Sequence, residues 1–253
     1  MFYLNPFKQA VLFAFALTIS GTVLADDTVL TSPVNQTVLI ELYTSEGCSS
    51  CPPAEKHLNS YTDNPDLWKS YIPLTFHVDY WDYIGWKDRF AKPQYGTRQR
   101  QYARMHRVSS VYTPAFFVNG QSWRPGLFTG RIPDKRTHPV GTLELQLLKN
   151  RIISTFKPVQ ETSGRLELNL AILGMGISSS IEAGENSGRQ SRHDFVVLAH
   201  EQYTADTMTW DTAWPNYDAA GSTQQALVAW ISEKGDPTPI QAVGGYIPSQ
   251  FRQ

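Results

Sequence analysis

Two cysteines, three positions apart, are the residues in this chain best placed to do chemistry. Cys48-Ser49-Ser50-Cys51 contains both cysteines of a 253-residue sequence. A Cys-x-x-Cys pair at the start of a helix suits thiol–disulfide exchange, because the positive end of the helix dipole favours a thiolate. Cys48, at or just before the expected helix N-cap, is the candidate attacking thiolate, and Cys51, one turn in, the resolving thiol. A purely structural disulfide is the weaker reading, since the stabilisation a cross-link gives grows with the loop it closes and this loop is short. Metal binding is the other alternative. A structural zinc site would need two histidines from elsewhere. Two thiolates with His57 or His77 could instead hold Cu(I), although no Met-rich or His-rich tract accompanies them.

Other side chains qualify by position. Glu41 sits mid-strand, seven residues before Cys48. Buried there, it would serve as a proton carrier for the dithiol, and the alternative is a solvated or salt-bridged strand end. His77, Asp79, Tyr80, Trp81, Asp82 and Trp86 follow a second strand. At the carboxyl end of a strand they could wall a peptide site, but core packing is the preferred reading. Arg98, Arg100, Arg104 and Arg107 read as a solvated helix face. His106, His138, His193 and His200 read as surface or core residues. Gly174-Met175-Gly176 lacks the rest of a dinucleotide fingerprint.

The elements that must position these residues follow from pattern. Val38 to Tyr43 is a continuous apolar run interrupted by Glu41 and reads as a buried strand; Thr44 to Gly47 is the turn leaving it. Pro52 to about Tyr61 reads as a helix, with prolines tolerated in its first turn. Tyr71 to Asp79 is a second strand, and Tyr95 to Val108 a polar helix. Ala115 to Val118, Asn119-Gly120 and Gln121 to Phe128 form a hairpin by their turn chemistry. Gly141 to Phe156, with Leu143, Leu147, Ile152 and Phe156, fits helical spacing. That succession describes an α/β unit with helices on both faces of a sheet. From about Thr162 the pattern becomes short strands (Arg165–Leu173, Phe195–His200, Gln225–Ser232) separated by turns at 184–188 and 235–237. This β-rich region, 161–253, is expected to be a second domain or a large appendage.

Twenty-two basic and 23 acidic side chains give a formal charge of −1, which does not suggest nucleic-acid binding. At the N-terminus, Lys8, an apolar stretch and Val23-Leu24-Ala25 before Asp26 form a secretory signal pattern, 1–25, with cleavage expected after Ala25. The run is short for an uncleaved anchor. Export to the periplasm or beyond would supply the oxidising surroundings in which a disulfide persists. No later segment is apolar enough to span a membrane.

Several of these segments together resemble a known family. The stretch from Glu41 to Glu55, His77-Val78-Asp79-Tyr80-Trp81-Asp82 with Gly85-Trp86, Tyr112-Thr113-Pro114, Gly184-Glu185-Asn186 and Val228-Ala229-Trp230 resemble the exported bacterial proteins grouped as domain of unknown function 1223 (DUF1223). More broadly, the order of elements resembles the thioredoxin fold. Glu55 departs slightly from the family pattern, which has aspartate there. The resemblance implies a thioredoxin-like α/β domain over 26–160, followed by the β-rich region. It implies a cis Thr113–Pro114 bond facing the dithiol and presenting backbone hydrogen bonds to a substrate. It also implies a thiol–disulfide oxidoreductase, with reduction or isomerisation favoured by the threonine before the proline. Expected partners are a disulfide-bearing protein or peptide and a second redox protein that resets the pair. No cofactor is called for.

Overall fold

The computed structural model describes Met1 and residues 28–124, 138–161 and 164–252. Apart from Met1, the signal segment 1–25 and its cleavage point lie outside the described residues, as does the part of the expected return strand beyond Arg124.

The fold is mixed α/β and mostly sheet. β1 (Thr28–Thr31) leads to β2 (Val38–Thr44), which is buried at every position. The turn after β2 carries the cysteines into α1 (Pro52–Asn59), and a 3-10 turn follows at Ser60–Asp63. β3 (Tyr71–His77) pairs parallel to β2, with Glu41 opposite Leu74 and Thr44 opposite His77. The aromatic segment after β3 makes one 3-10 turn at Asp82–Ile84 before α2 (Pro93–Arg104). β4 (Ala115–Val118) and β5 (Gln121–Trp123) form the expected hairpin, with Asn119 and Gly120 both at positive φ (46° and 75°). Left-handed backbone at two successive positions is what a tight hairpin turn requires and what Asn-Gly supplies.

From Gly141 the structure differs from the helical expectation. β6 (Gly141–Leu147) and β7 (Arg151–Pro158) form an antiparallel hairpin. Leu143, Leu145 and Leu147 are buried while Thr142, Glu144 and Gln146 alternate with them, and Ile152 and Phe156 continue the pattern on β7. The spacing of Leu143, Leu147, Ile152 and Phe156 satisfies both periods. Leu145, the β-branched Ile152, Ile153 and Thr155, and the turn at 148–150 decide for strands.

The remaining strands are β8 (Leu166–Met175), β9 (Ile177–Ser180), β10 (Gln190–His193), β11 (Val196–Thr204), β12 (Thr209–Ala213), β13 (Gln224–Glu233) and β14 (Pro239–Tyr246). Four of them continue the sheet begun by β2 and β3. The order is β14-β13-β8-β11-β3-β2-β4-β5, with β11–β3 and β3–β2 parallel. β1, β6, β7 and β12 make a second, four-stranded sheet.

One core lies between the N-terminal strands, both helices and one face of β8, β13 and β14, around Tyr43, Phe76, Phe117 and Trp230. A second fills the space between the two sheets and holds Leu168, Leu170 and Ile172 of β8 together with Leu145 and Phe156, and a smaller third gathers Phe90, Ile177, Val196 and Leu198. Alternate residues of β8 and β13 serve the first two cores, so both strands are apolar on both faces. No helix among the described residues is long and apolar enough to cross a membrane.

Candidate functional site: a covered disulfide over a buried ion cluster

Cys48 and Cys51 are joined as a disulfide, with Cα atoms 5.4 Å apart. The Cys48 N–H donates to the Ser45 carbonyl and the Cys51 N–H to the Cys48 carbonyl, so backbone hydrogen bonds brace the turn after β2. Cys51, rather than Cys48, is the N-cap of α1, and its carbonyl accepts the Ala54 and Glu55 N–H groups. Cys48 lies on the preceding loop, where Ser49 and Ser50 are exposed.

Neither cysteine exposes any surface. The β9–β10 connection provides part of the cover. Asn186 donates from Nδ2 to the carbonyls of Glu46 (2.8 Å) and Cys48 (3.0 Å), and Glu185 accepts the Ser49 N–H at 3.2 Å. Gly184 turns there at φ 73°, with the space a Cβ would need only 3.2 Å from Trp86 Cβ. Trp81 and Ile84 lie close against Gly47, 3.2 and 3.3 Å from where a Cβ would stand. The aromatic segment after β3 thus packs on the cysteine loop itself.

Beside the disulfide lies a cluster of buried ionisable groups. His193, on β10, bonds through Nδ1 to Glu55 Oε2 (2.9 Å) and through Nε2 to Glu46 Oε1 (3.1 Å). Glu46 also accepts from Trp86 Nε1, and Glu55 from the Thr44 hydroxyl. Burial alone would lower the His193 pKa, but its hydrogen bonds to Glu46 and Glu55 push it up to about 10. Burial likewise opposes ionisation of Glu46, and bonds from His193, Ser179 and Trp86 overcome it, bringing the pKa to about 2. Glu55 is lowered despite its burial, through the same histidine. The result is an imidazolium bridging two carboxylates, and it ties the cysteine turn and α1 to the C-terminal strands. His77, at the end of β3, adds a bond from Nδ1 to Asp88 Oδ2 (2.7 Å).

Thr113 and Pro114 lie at the same end of β2 as the cysteine turn, because β4 runs antiparallel and sets Ala115 opposite Tyr43. Their peptide bond is cis. Trp81 donates from Nε1 to Thr113 Oγ1 (2.7 Å), which links this segment to the tryptophan beside Gly47.

Glu41 is elsewhere. Side chains alternate along a strand: Thr44 reaches Glu55 on α1, whereas Glu41 and Tyr43 point to the opposite face. There Glu41 accepts from Arg98 (2.5 Å), Tyr102 (3.1 Å) and Tyr43 (2.8 Å). It is salt-bridged, but in the buried middle of the strand rather than at a strand end. Arg98 is correspondingly buried and does not share the solvated face expected of its helix. His57 stacks on Trp123.

Sequence reasoning singled out neither Glu46, Glu55, Asp88 nor Asn186 for chemistry, and it read His193 as an ordinary surface or core residue. The available signal was the Gly184-Glu185-Asn186 segment, whose resemblance to the family carried no structural role.

Among curated proteins none matches the chain. Two solved structures share its fold. The crystal structure of a protein from Agrobacterium tumefaciens is 20% identical, with a TM-score of 0.59 over 84% of this chain and 95% of that one. HBP35 of Porphyromonas gingivalis is 13% identical, with a TM-score of 0.56 over 88% and 80% of the respective chains. Residues 39–232, from β2 to the end of β13, match the family described as protein of unknown function (DUF1223). That span holds the cysteine turn, the cis Thr113–Pro114 bond and the Glu46–His193–Glu55 cluster, and on it the chain belongs to the DUF1223 family.

Proposed function

We propose that this protein is an exported, thioredoxin-like thiol–disulfide oxidoreductase acting as a reductase or isomerase on disulfide-bearing proteins or peptides. The observation that carries the reading is the Cys48–Cys51 disulfide at the N-terminus of α1, at the carboxyl end of β2. A thiolate formed there gains from the positive end of the helix dipole.

In the reductive direction a partner dithiol first reduces the pair and is itself oxidised. Cys48 thiolate then attacks one sulfur of the substrate disulfide. A mixed disulfide forms and the other substrate sulfur leaves as a thiolate. Cys51 thiolate attacks Cys48 Sγ, the substrate's second sulfur leaves, and the intramolecular disulfide is restored. Two electrons pass from the dithiol to the substrate. Cys48 takes the attacking role because it lies on the loop with exposed neighbours, while Cys51 is fixed at the helix cap. Because both sulfurs are covered, the reading requires the Glu185–Asn186 loop to move before a macromolecular substrate reaches them.

The test is the reduction potential of the pair in the mature protein, by thiol trapping across glutathione and dithiothreitol buffers. A value between about −120 and −270 mV, the span of exchange catalysts, supports the reading. A value well below about −300 mV identifies a structural disulfide and overturns it.

A further inference from the structure

We infer that Glu55, His77 and His193 form a binding site for a divalent transition-metal ion beneath the Cys48–Cys51 turn. Each offers one donor atom, and the three atoms lie within 4.8 Å of one another. Two imidazoles and a carboxylate are a donor set used by zinc and non-haem iron sites.

The bonds within the cluster explain His193 and Glu55 without an ion, but they do not explain His77. That side chain is fully buried, and its Nε2 has no hydrogen-bond partner. Its Nδ1 is 2.7 Å from Asp88 Oδ2, while that carboxylate also accepts the Glu46 and Phe90 N–H groups. Asp88 is thus oriented by two backbone donors and in turn fixes the ring with its proton on Nδ1. The Nε2 lone pair is then left for the cluster. A carboxylate holding the far nitrogen of a histidine is the arrangement that orients metal-ligating imidazoles and raises their basicity.

Charge points the same way. Glu46, Glu55 and Asp88 are three buried carboxyl groups around two imidazoles. Among the described residues no lysine or arginine bonds to any of them. A cation would displace a proton from His193, as ligation by imidazole requires. The donors would draw together to reach bond lengths of about 2.0–2.2 Å. Glu46 stands next to the site as a further acceptor. No cysteine takes part, so the inference does not rest on the redox reading.

The experiment is titration of the oxidised protein with Co2+, followed by visible absorption, and with Zn2+, followed by calorimetry. With the sulfurs locked in their disulfide, one equivalent should bind. Ring resonances of His77 and His193 should shift on Zn2+ addition in the unaltered protein. Asp88→Asn should weaken binding by about 10- to 100-fold, the usual effect of losing such a supporting carboxylate. His77→Gln should abolish it, and the Cys48→Ser/Cys51→Ser double variant should retain it. Absence of stoichiometric binding by the folded native chain overturns the inference whatever the variants do. Binding that leaves the two ring signals unmoved, or that survives in folded His77→Gln, overturns it equally.

Discussion

Asn186 donates to the Cys48 carbonyl at 3.0 Å across 138 residues of sequence, and so fastens a loop of the C-terminal region over a disulfide formed near the N-terminus. The same amide holds Glu46 at 2.8 Å. The cover over the sulfurs is therefore fastened by a part of the chain that contains neither of them.

Asn186→Ala should make the disulfide more reactive. The substitution removes both bonds; the Cys48 carbonyl keeps the Cys51 N–H, whereas the Glu46 carbonyl is left in need of a partner, a cost of about 1–3 kcal/mol for a buried group. Open forms of the loop should then be populated about tenfold more for each 1.4 kcal/mol lost. The second-order rate of reduction by dithiothreitol should rise by at least about that factor. An unchanged rate would mean that this loop does not gate the sulfurs.

Cys48→Ser should abolish disulfide exchange, whereas Cys51→Ser should accumulate mixed disulfides with substrate proteins, visible on non-reducing gels. If Cys48→Ser retains full activity, the assignment of the attacking sulfur fails.

The Glu46–His193–Glu55 bridge gives the metal-free protein a defined pH dependence. The His193 pKa rises from 6.5 unfolded to about 10 folded, so its contribution is complete below pH 6.5 and is lost as pH rises towards 10. Glu46 falls from 4.5 to about 2, so its contribution is present above pH 4.5 and is lost as pH drops towards 2. Urea midpoints in chelator-treated buffer should hold level between pH 4.5 and 6.5 as far as these groups decide, and decline on either side. His193→Gln should have lower midpoints and lack the alkaline decline. A wild-type curve that stays flat from pH 6.5 to 10 would contradict the bridge.

Glu41→Gln should weaken the fold without altering the Cys48–Cys51 pair. Breaking one side of a buried ion pair costs about 3–5 kcal/mol, and among the described residues Arg98 has only the Pro237 carbonyl as a further hydrogen-bond partner. The denaturation midpoint should fall markedly, while the potential of Cys48–Cys51 stays within error. A shifted potential would restore Glu41 as the proton carrier for the dithiol.

By itself the sequence determined what local chemistry controls. A cysteine pair between an apolar run and two prolines specifies a strand, a turn and a helix start, because each step depends on neighbours within about four residues. Asn119-Gly120 likewise specifies its own turn, whose backbone few other residue pairs tolerate. Tertiary structure decided the rest. Gly141 to Phe156 carries a pattern compatible with two periods, and the pairing of β6 with β7 and β1 selected the strand. Glu41 is one residue out of phase with the face that meets α1, and a period of two leaves open which face that is. Glu46 and His193 stand 147 positions apart, and Glu55 and His193 stand 138 apart. No local preference encodes their meeting. It follows from β10 docking beside α1, and the burial of charge in that contact makes its hydrogen bonds obligatory.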